Sequence, residues 1–337
     1  MKKIITCMFI IVSLLPPLVM AEQVNLYSAR KEALIKPLLD KFTQQTGISV
    51  NLVTGNADNL ITRLKSEGKY SPADLLLTTD VGRLYRAKQQ GLTQEIAETE
   101  AISKLPNNFR DEQGHWLGLS LRARPLMVSA ERVNGQSITK LEDLTAPEWK
   151  GRICIRSSSN IYNQSMVASL IAQQGESATE EWVNGLVKNF ARPPQGGDRD
   201  QIKAVASGLC DVAIANTYYL AGMLSSEDET TKQQGKKVKV VWPNQGDRGA
   251  HINISGVALA KNAPNKVAAV KLIEFLLSDE SQMWYAKTNH EYPVLAAIPW
   301  SDLLQSFGTF KTEQVPLGKL GELNSAAVQM MDRAGWK

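Results

Sequence analysis

Histidine, cysteine and net charge are all scarce in this chain of 337 residues, and each scarcity closes off a class of function. The three histidines, His115, His251 and His290, are too scattered to spell out a zinc cluster. With 38 basic against 34 acidic residues, the charge balance gives no footing for nucleic-acid binding. The sequence also lacks a glycine-rich phosphate loop, a Ser-His-Asp set, internal repeats and low-complexity tracts. Its one long hydrophobic run, residues 4–20, is interrupted by Pro16 and Pro17. Lys2 and Lys3 precede that run, and polar Glu22 and Gln23 follow Ala21, so residues 1–21 read as a cleavable secretory signal rather than a membrane anchor. Cys7 lies too early to be a lipid-attachment cysteine, and the short apolar core suits a bacterial precursor bound for the periplasm.

What remains after residue 21 carries 36 basic and 34 acidic residues and is long enough for two compact domains. Strands expected at 24–27, 48–53 and 73–77 alternate with helices around 34–42, 59–67 and 81–90, several closed by glycine. Such alternation with short turns predicts an α/β lobe whose sheet is mixed, mainly parallel and flanked by helices. An extended run at 116–131 breaks the pattern, and βα alternation then restarts with strands at 152–156, 211–215 and 238–241. A second extended run, 253–259, follows a glycine-punctuated stretch. The two runs read as strands crossing between lobes. The first lobe is then discontinuous, 22–121 plus 256–337, and the second covers 122–255. Cys154 and Cys210 both fall on expected strands of the second lobe; a disulfide and two free buried thiols are equally open readings.

Candidate chemistry gathers where strands of the second lobe end. Tyr218 and Tyr219 follow the strand at 211–215, with Asn216 or Thr217 placed to cap a helix. Only an irregular junction lets both phenols converge, and there the helix N-terminus favours phenolate. Alone, the pair reads more readily as packing than as ligation. Tyr162 stands after Ser157-Ser158-Ser159-Asn160, where hydroxyls and backbone N–H groups, notably from Ser159 and Asn160, can hold a small anion; ordinary helix capping explains the same residues. Arg122 and Arg124 share a face of the first crossing, and a guanidinium pairs with carbonate or carboxylate through two parallel hydrogen bonds. Three phenolates would suit a hard trivalent cation.

Four stretches stand out: Leu26-Tyr27-Ser28-Ala29-Arg30-Lys31-Glu32, Ser71-Pro72-Ala73-Asp74, Leu141-Glu142-Asp143-Leu144 with Trp149-Lys150-Gly151, and above all Ala215-Asn216-Thr217-Tyr218-Tyr219. Together they resemble the periplasmic ferric-ion-binding proteins of bacterial ABC importers, the bacterial transferrins. The resemblance implies a type II periplasmic binding protein, two α/β lobes joined by two crossing strands, that acts as a monomer and is not an enzyme. It implies Fe(III) held by Tyr162, Tyr218 and Tyr219, a synergistic carbonate or bicarbonate anchored by Arg122, and delivery to an ABC permease of the inner membrane. Some relatives add a histidine at the first helix start and a carboxylate after the third strand; Arg30 and Lys31, then Thr79 and Asp80, occupy those neighbourhoods here. Tyr27, Arg30 and Asp80 are therefore second-rank candidates, Tyr27 reading first as a packing residue at a strand end and Asp80 as a helix cap. The nearest rival keeps the fold and carries an organic anion, a phosphonate or a polyamine. A rival of another class is an exported enzyme on the same scaffold.

Overall fold

The computed structural model describes residues 22–133 and 138–337; the expected signal segment, 1–21, lies outside the described residues. Eleven strands are named in chain order. The first five are β1 (Gln23–Ser28), β2 (Ser49–Thr54), β3 (Leu75–Thr79), β4 (Thr93–Gln94) and β5 (Leu117–Ala123). Then come β6 (Leu126–Ser129), β7 (Ile153–Cys154), β8 (Val212–Ile214), β9 (Val238–Val241), β10 (Ile252–Ala260) and β11 (Tyr292–Pro293). They form two sheets. One has the order β11-β5-β10-β3-β1-β2 with β4 against β10, and the other β7-β8-β6-β9.

Local sequence accounts for most of these elements. Helix Ala57–Glu67 is capped by Asn56, whose side chain accepts from the backbone of Asp58 and Asn59, and it buries Leu60, Ile61 and Leu64 at helical spacing. Strand β3 is buried along almost its whole length, as its apolar run requires. The sheets are mixed: β1–β2, β1–β3 and β7–β8 pair in parallel, as βα alternation dictates. Antiparallel pairs arise wherever a crossing segment enters a sheet, because β5 and β10 run against each other and β6 runs against both β8 and β9. The parallel character is thus confined to the βα-connected strands.

The extended run at 116–131 divides between the sheets. Strand β5 ends at Ala123, β6 begins at Leu126, and only Arg124 and Pro125 lie between them. The return passes between β9 and β10, and the Arg124 amide donates to the His251 carbonyl at 3.0 Å, which ties the two crossings side by side. Both change sheet at slightly different residues from those expected, since Arg122 and Ala123 pair with Asn253 and Ile252 inside the first sheet.

A larger departure is the C-terminal helix, Asn324–Arg333, expected with the first lobe. It buries Ala327, Met330 and Met331, with Trp336 beyond it, in the core that holds Leu126, Val128, Ile153 and Met166 of the second sheet's side. Its short apolar stripe fits either surface, and what decides is the helical segment Ile161–Lys188, two helices joined across a break at Gly175 (φ 82°), against which it packs. The Trp336 indole donates to the Arg156 carbonyl at 2.9 Å, fixing the chain just ahead of the serine-rich turn.

Cys154 and Cys210 form a disulfide, with their Cα atoms 5.9 Å apart and a sequence separation of 56. It joins β7, which leads to Tyr162, to the segment that enters β8 and leads to Tyr218. The Cys154→Ser/Cys210→Ser variant is expected to lose about 2–4 kcal/mol of unfolding free energy, the usual range for a bridge closing a loop of this size. A urea melt reads this as a lower midpoint. Coincident midpoints for the wild type with and without reductant would show that the bridge contributes nothing.

Candidate metal centre

Three phenols and one guanidinium converge where β8, the helix Ile161–Lys188 and the end of β5 meet. After β8 the chain reaches Asn216, the N-cap position of helix Thr217–Leu224, yet Asn216 makes no side-chain cap bond. Its Oδ1 accepts from Arg124 Nη1 at 3.1 Å, and its Nδ2 donates to the Tyr218 hydroxyl at 3.1 Å. The cap residue is thereby turned to hold Tyr218. Tyr219 lies beside it, with ring centroids 4.4 Å apart and planes inclined by 39°. Tyr162 occupies the first turn of its helix, its amide donating to the capping Asn160 at 3.1 Å.

Arg122 joins the two halves. Its Nη1 donates to the Tyr162 hydroxyl at 3.2 Å, while its Cζ stands 4.4 Å from the Tyr218 ring centroid and 5.2 Å from that of Tyr162. Arg124, one step along the same face, is almost wholly buried and bonds Asn163 Oδ1 at 2.6 Å and Asp198 Oδ2 at 3.2 Å as well as Asn216. It braces the junction, with its Cζ 6.0 Å from the Tyr162 ring centroid.

The electrostatics follow from this crowding. Burial works to raise the Tyr162 phenol, but the Arg122 charge, with hydrogen bonding to Tyr218, Arg122 and Thr79, outweighs it and leaves its pKa below the ordinary tyrosine value. Burial pushes Tyr218 and Tyr219 upward, and the negative charge of Tyr162 and Asp198 adds to the rise. One phenol therefore ionises below the ordinary tyrosine value, and its negative charge opposes ionisation of the other two. Arg122 stays protonated, since the charges of Tyr162, Tyr218 and Glu291 together overcome the effect of its burial.

Of the residues singled out from sequence, Tyr162, Tyr218, Tyr219 and Arg122 come together. Asn160 caps its helix, and Ser159 is exposed with its hydroxyl 2.9 Å from that of Ser157, so both show the capping and turn contacts that were the other reading of this stretch. Tyr27 stands apart: its hydroxyl donates to Glu67 at 2.8 Å, and Arg63 covers its ring. Asp80 caps helix Val81–Gln89 through the Gly82 amide at 2.9 Å and is saturated by Ser165 Oγ at 2.8 Å and Asn253 Nδ2 at 2.8 Å. Burial raises its pKa. With Arg122, Arg124 and Tyr162 it lines a cavity of about 10 Å³. Arg30 is turned away from the phenols, toward Glu291.

Glu291 was not legible beforehand, for no motif surrounds it. It is buried, accepts from Arg30 through two bonds of 3.1 and 2.9 Å, and lies 3.5 Å from Arg122 Nε. Burial raises its pKa, but Arg30 and Arg122 bring it down to about 2. Its folded value lies below the usual 4.5, so it adds stability that is fully present above about pH 4.5 and is lost as pH falls toward 2. The only hint in sequence was a glutamate set between His290 and the apolar run from Tyr292.

Residues 71–304 match the model of a family described as bacterial extracellular solute-binding protein. The chain belongs to that family. This solute-binding protein is 47% identical over 316 residues to "Iron uptake protein A1" of Synechocystis sp., covering 94% of the chain and 88% of the relative. A solved structure, "Trichodesmium (IdiA) (FutA) in complex with iron and citrate ligands", superposes with a TM-score of 0.90 at 47% identity, over 94% of this chain and 100% of that one. The ferric iron-binding protein A of Mannheimia haemolytica, "in an open conformation", gives 0.87 at 41%, over 94% and 99%.

An ultraviolet titration of the iron-free protein should reveal one phenol ionising below the usual tyrosine range, absent in Tyr162→Phe. Retention of that early step in the variant would overturn its assignment to Tyr162.

Proposed function

We propose that this protein captures Fe(III) in the cleft between its two sheets and hands it to an ABC permease of the inner membrane. Tyr162, Tyr218 and Tyr219 supply phenolate oxygens, and Arg122 anchors a synergistic anion, carbonate or bicarbonate. The observation that carries this reading is the convergence of three phenols on one buried guanidinium. Phenolate is a hard anionic donor suited to a trivalent ion, and a cationic neighbour offsets the negative charge that three of them accumulate. Among the described residues no group of three or more His, Cys, Asp or Glu could hold a metal, so phenol oxygens are the natural donors. The names of the similar proteins support the cargo.

In this reading the mature protein starts near residue 22, works in the periplasm and performs no chemistry on its cargo. Two lobes, one around each sheet, close on the ion by bending the adjacent crossings at 124–125 and 242–251. Citrate, named in the similar Trichodesmium structure, offers an organic carboxylate as a second candidate for the anion at Arg122. A cargo that is wholly organic, such as a phosphonate or polyamine, would give no iron–phenolate colour.

Loading the purified protein with Fe(III) and bicarbonate should produce a visible phenolate-to-iron band that weakens and shifts in Tyr218→Phe and in Tyr219→Phe. An unchanged band in both variants would sink the assignment. Because each donor must lose a proton to bind, apparent affinity should fall as pH falls. Affinity that holds or rises in acid would exclude phenolate ligation.

A further inference from the structure

We propose that Arg30 is a positioning residue for the cleft: by occupying Glu291 it leaves the Arg122 guanidinium free for the phenols and the anion. This rests on the reading of the tyrosine cluster as an Fe(III) site and deepens it.

The geometry is that of one carboxylate offered to two guanidiniums. Arg30 takes the good position, with Nη1 on Oε1 at 3.1 Å and Nη2 on Oε2 at 2.9 Å, the two-pronged arrangement that is strongest between these groups. Ser255 Oγ donates to Oε2 at 3.2 Å, and the Ser120 hydroxyl donates to the same oxygen. Arg122 is left with the poor position. Its Nε is 3.5 Å from Oε1 and makes no hydrogen bond, so the contact is an ion pair without directional bonding. Its Nη1 points the other way, to Tyr162.

Charge counting gives the arrangement its purpose. Arg30, Arg122 and Glu291 are all buried, and together they carry one surplus positive charge. Arg30 and Glu291 cancel each other, so the surplus resides on Arg122, next to the hydroxyls that must become phenolates. Without Arg30, Glu291 would be a buried carboxylate whose one remaining cation is Arg122. Leaving it half-satisfied is unfavourable, and the paired geometry would draw the Arg122 fork off Tyr162 and onto Glu291. A lysine at position 30 would do the same in part, since an ammonium is a point charge that cannot match both oxygens.

The test compares the mature wild type with Arg30→Met, Arg30→Lys and the double variant Arg30→Met/Glu291→Gln. The readout is the visible band on addition of Fe(III), followed against bicarbonate concentration, with thermal melts to establish folding. Arg30→Met should need roughly tenfold more bicarbonate for half-maximal colour, the effect of losing one charge-assisted contact. The double variant should return toward wild type, because no carboxylate remains to capture Arg122. A merely structural role for Arg30 would lower the melting temperature without this shift or its reversal. Wild-type bicarbonate dependence in folded Arg30→Met overturns the inference, as does a double variant no better than the single. If Arg30→Met does not fold, Arg30→Lys takes its place, with a smaller shift in the same direction expected and none overturning the proposal. A wild type that shows no band counts against iron binding itself. A wild-type band lost with the tyrosines but indifferent to Arg30 counts against this inference alone.

Discussion

Everything near the cleft depends on keeping one buried guanidinium charged and uncommitted. Arg122 sits among three phenols and a carboxylate, all of which gain by its charge, and among the described residues its side-chain hydrogen bond is to Tyr162. A buried cation without partners would be strongly unfavourable, and one fully paired would have nothing left for a ligand. The structure holds it between those limits. Its contacts to aromatic faces and to Glu291 stabilise the charge without saturating its donors.

The backbone explains why that guanidinium can serve both sides of the cleft. Arg122 is the penultimate residue of β5 and is paired with Asn253 of β10, so it belongs to the first sheet, yet two residues separate that strand from β6 in the second. Asn253 in turn donates to Asp80, which is bonded to Ser165 on the helix that carries Tyr162. Polar side chains thus span the seam at the point where the two crossings lie together. Asp80 holds a positive φ of 90° to do so, a conformation that few residues other than glycine adopt.

Much of the architecture could be read from sequence because it rests on local signals. Apolar runs ending in glycine mark the βα units, and Tyr218 with Tyr219 follow a strand and a helix-capping residue. Tyr162 was legible for the same reason, standing just behind Ser157-Ser158-Ser159-Asn160. What escaped were contacts made at long range by residues with ordinary neighbours. Glu291 is 261 residues from Arg30, and no local pattern announces that they meet. Asn216 looked like a cap and is one by position, but Arg124 and Tyr218 claim its side chain. The C-terminal helix has an apolar stripe that would fit either core, so only the packed structure assigns it to the second.

That assignment bears on how the chain acquires its shape. The second sheet's core is completed by Met330, Met331 and Trp336, a few residues from the end, and the first sheet has β10, from residue 252 onward, at its centre. A chain emerging N-terminus first can therefore finish neither half early, because each core needs segments that come late in the sequence. Neither half of the molecule is therefore a self-contained folding unit of consecutive sequence: each takes its last core residues from a segment far along the chain.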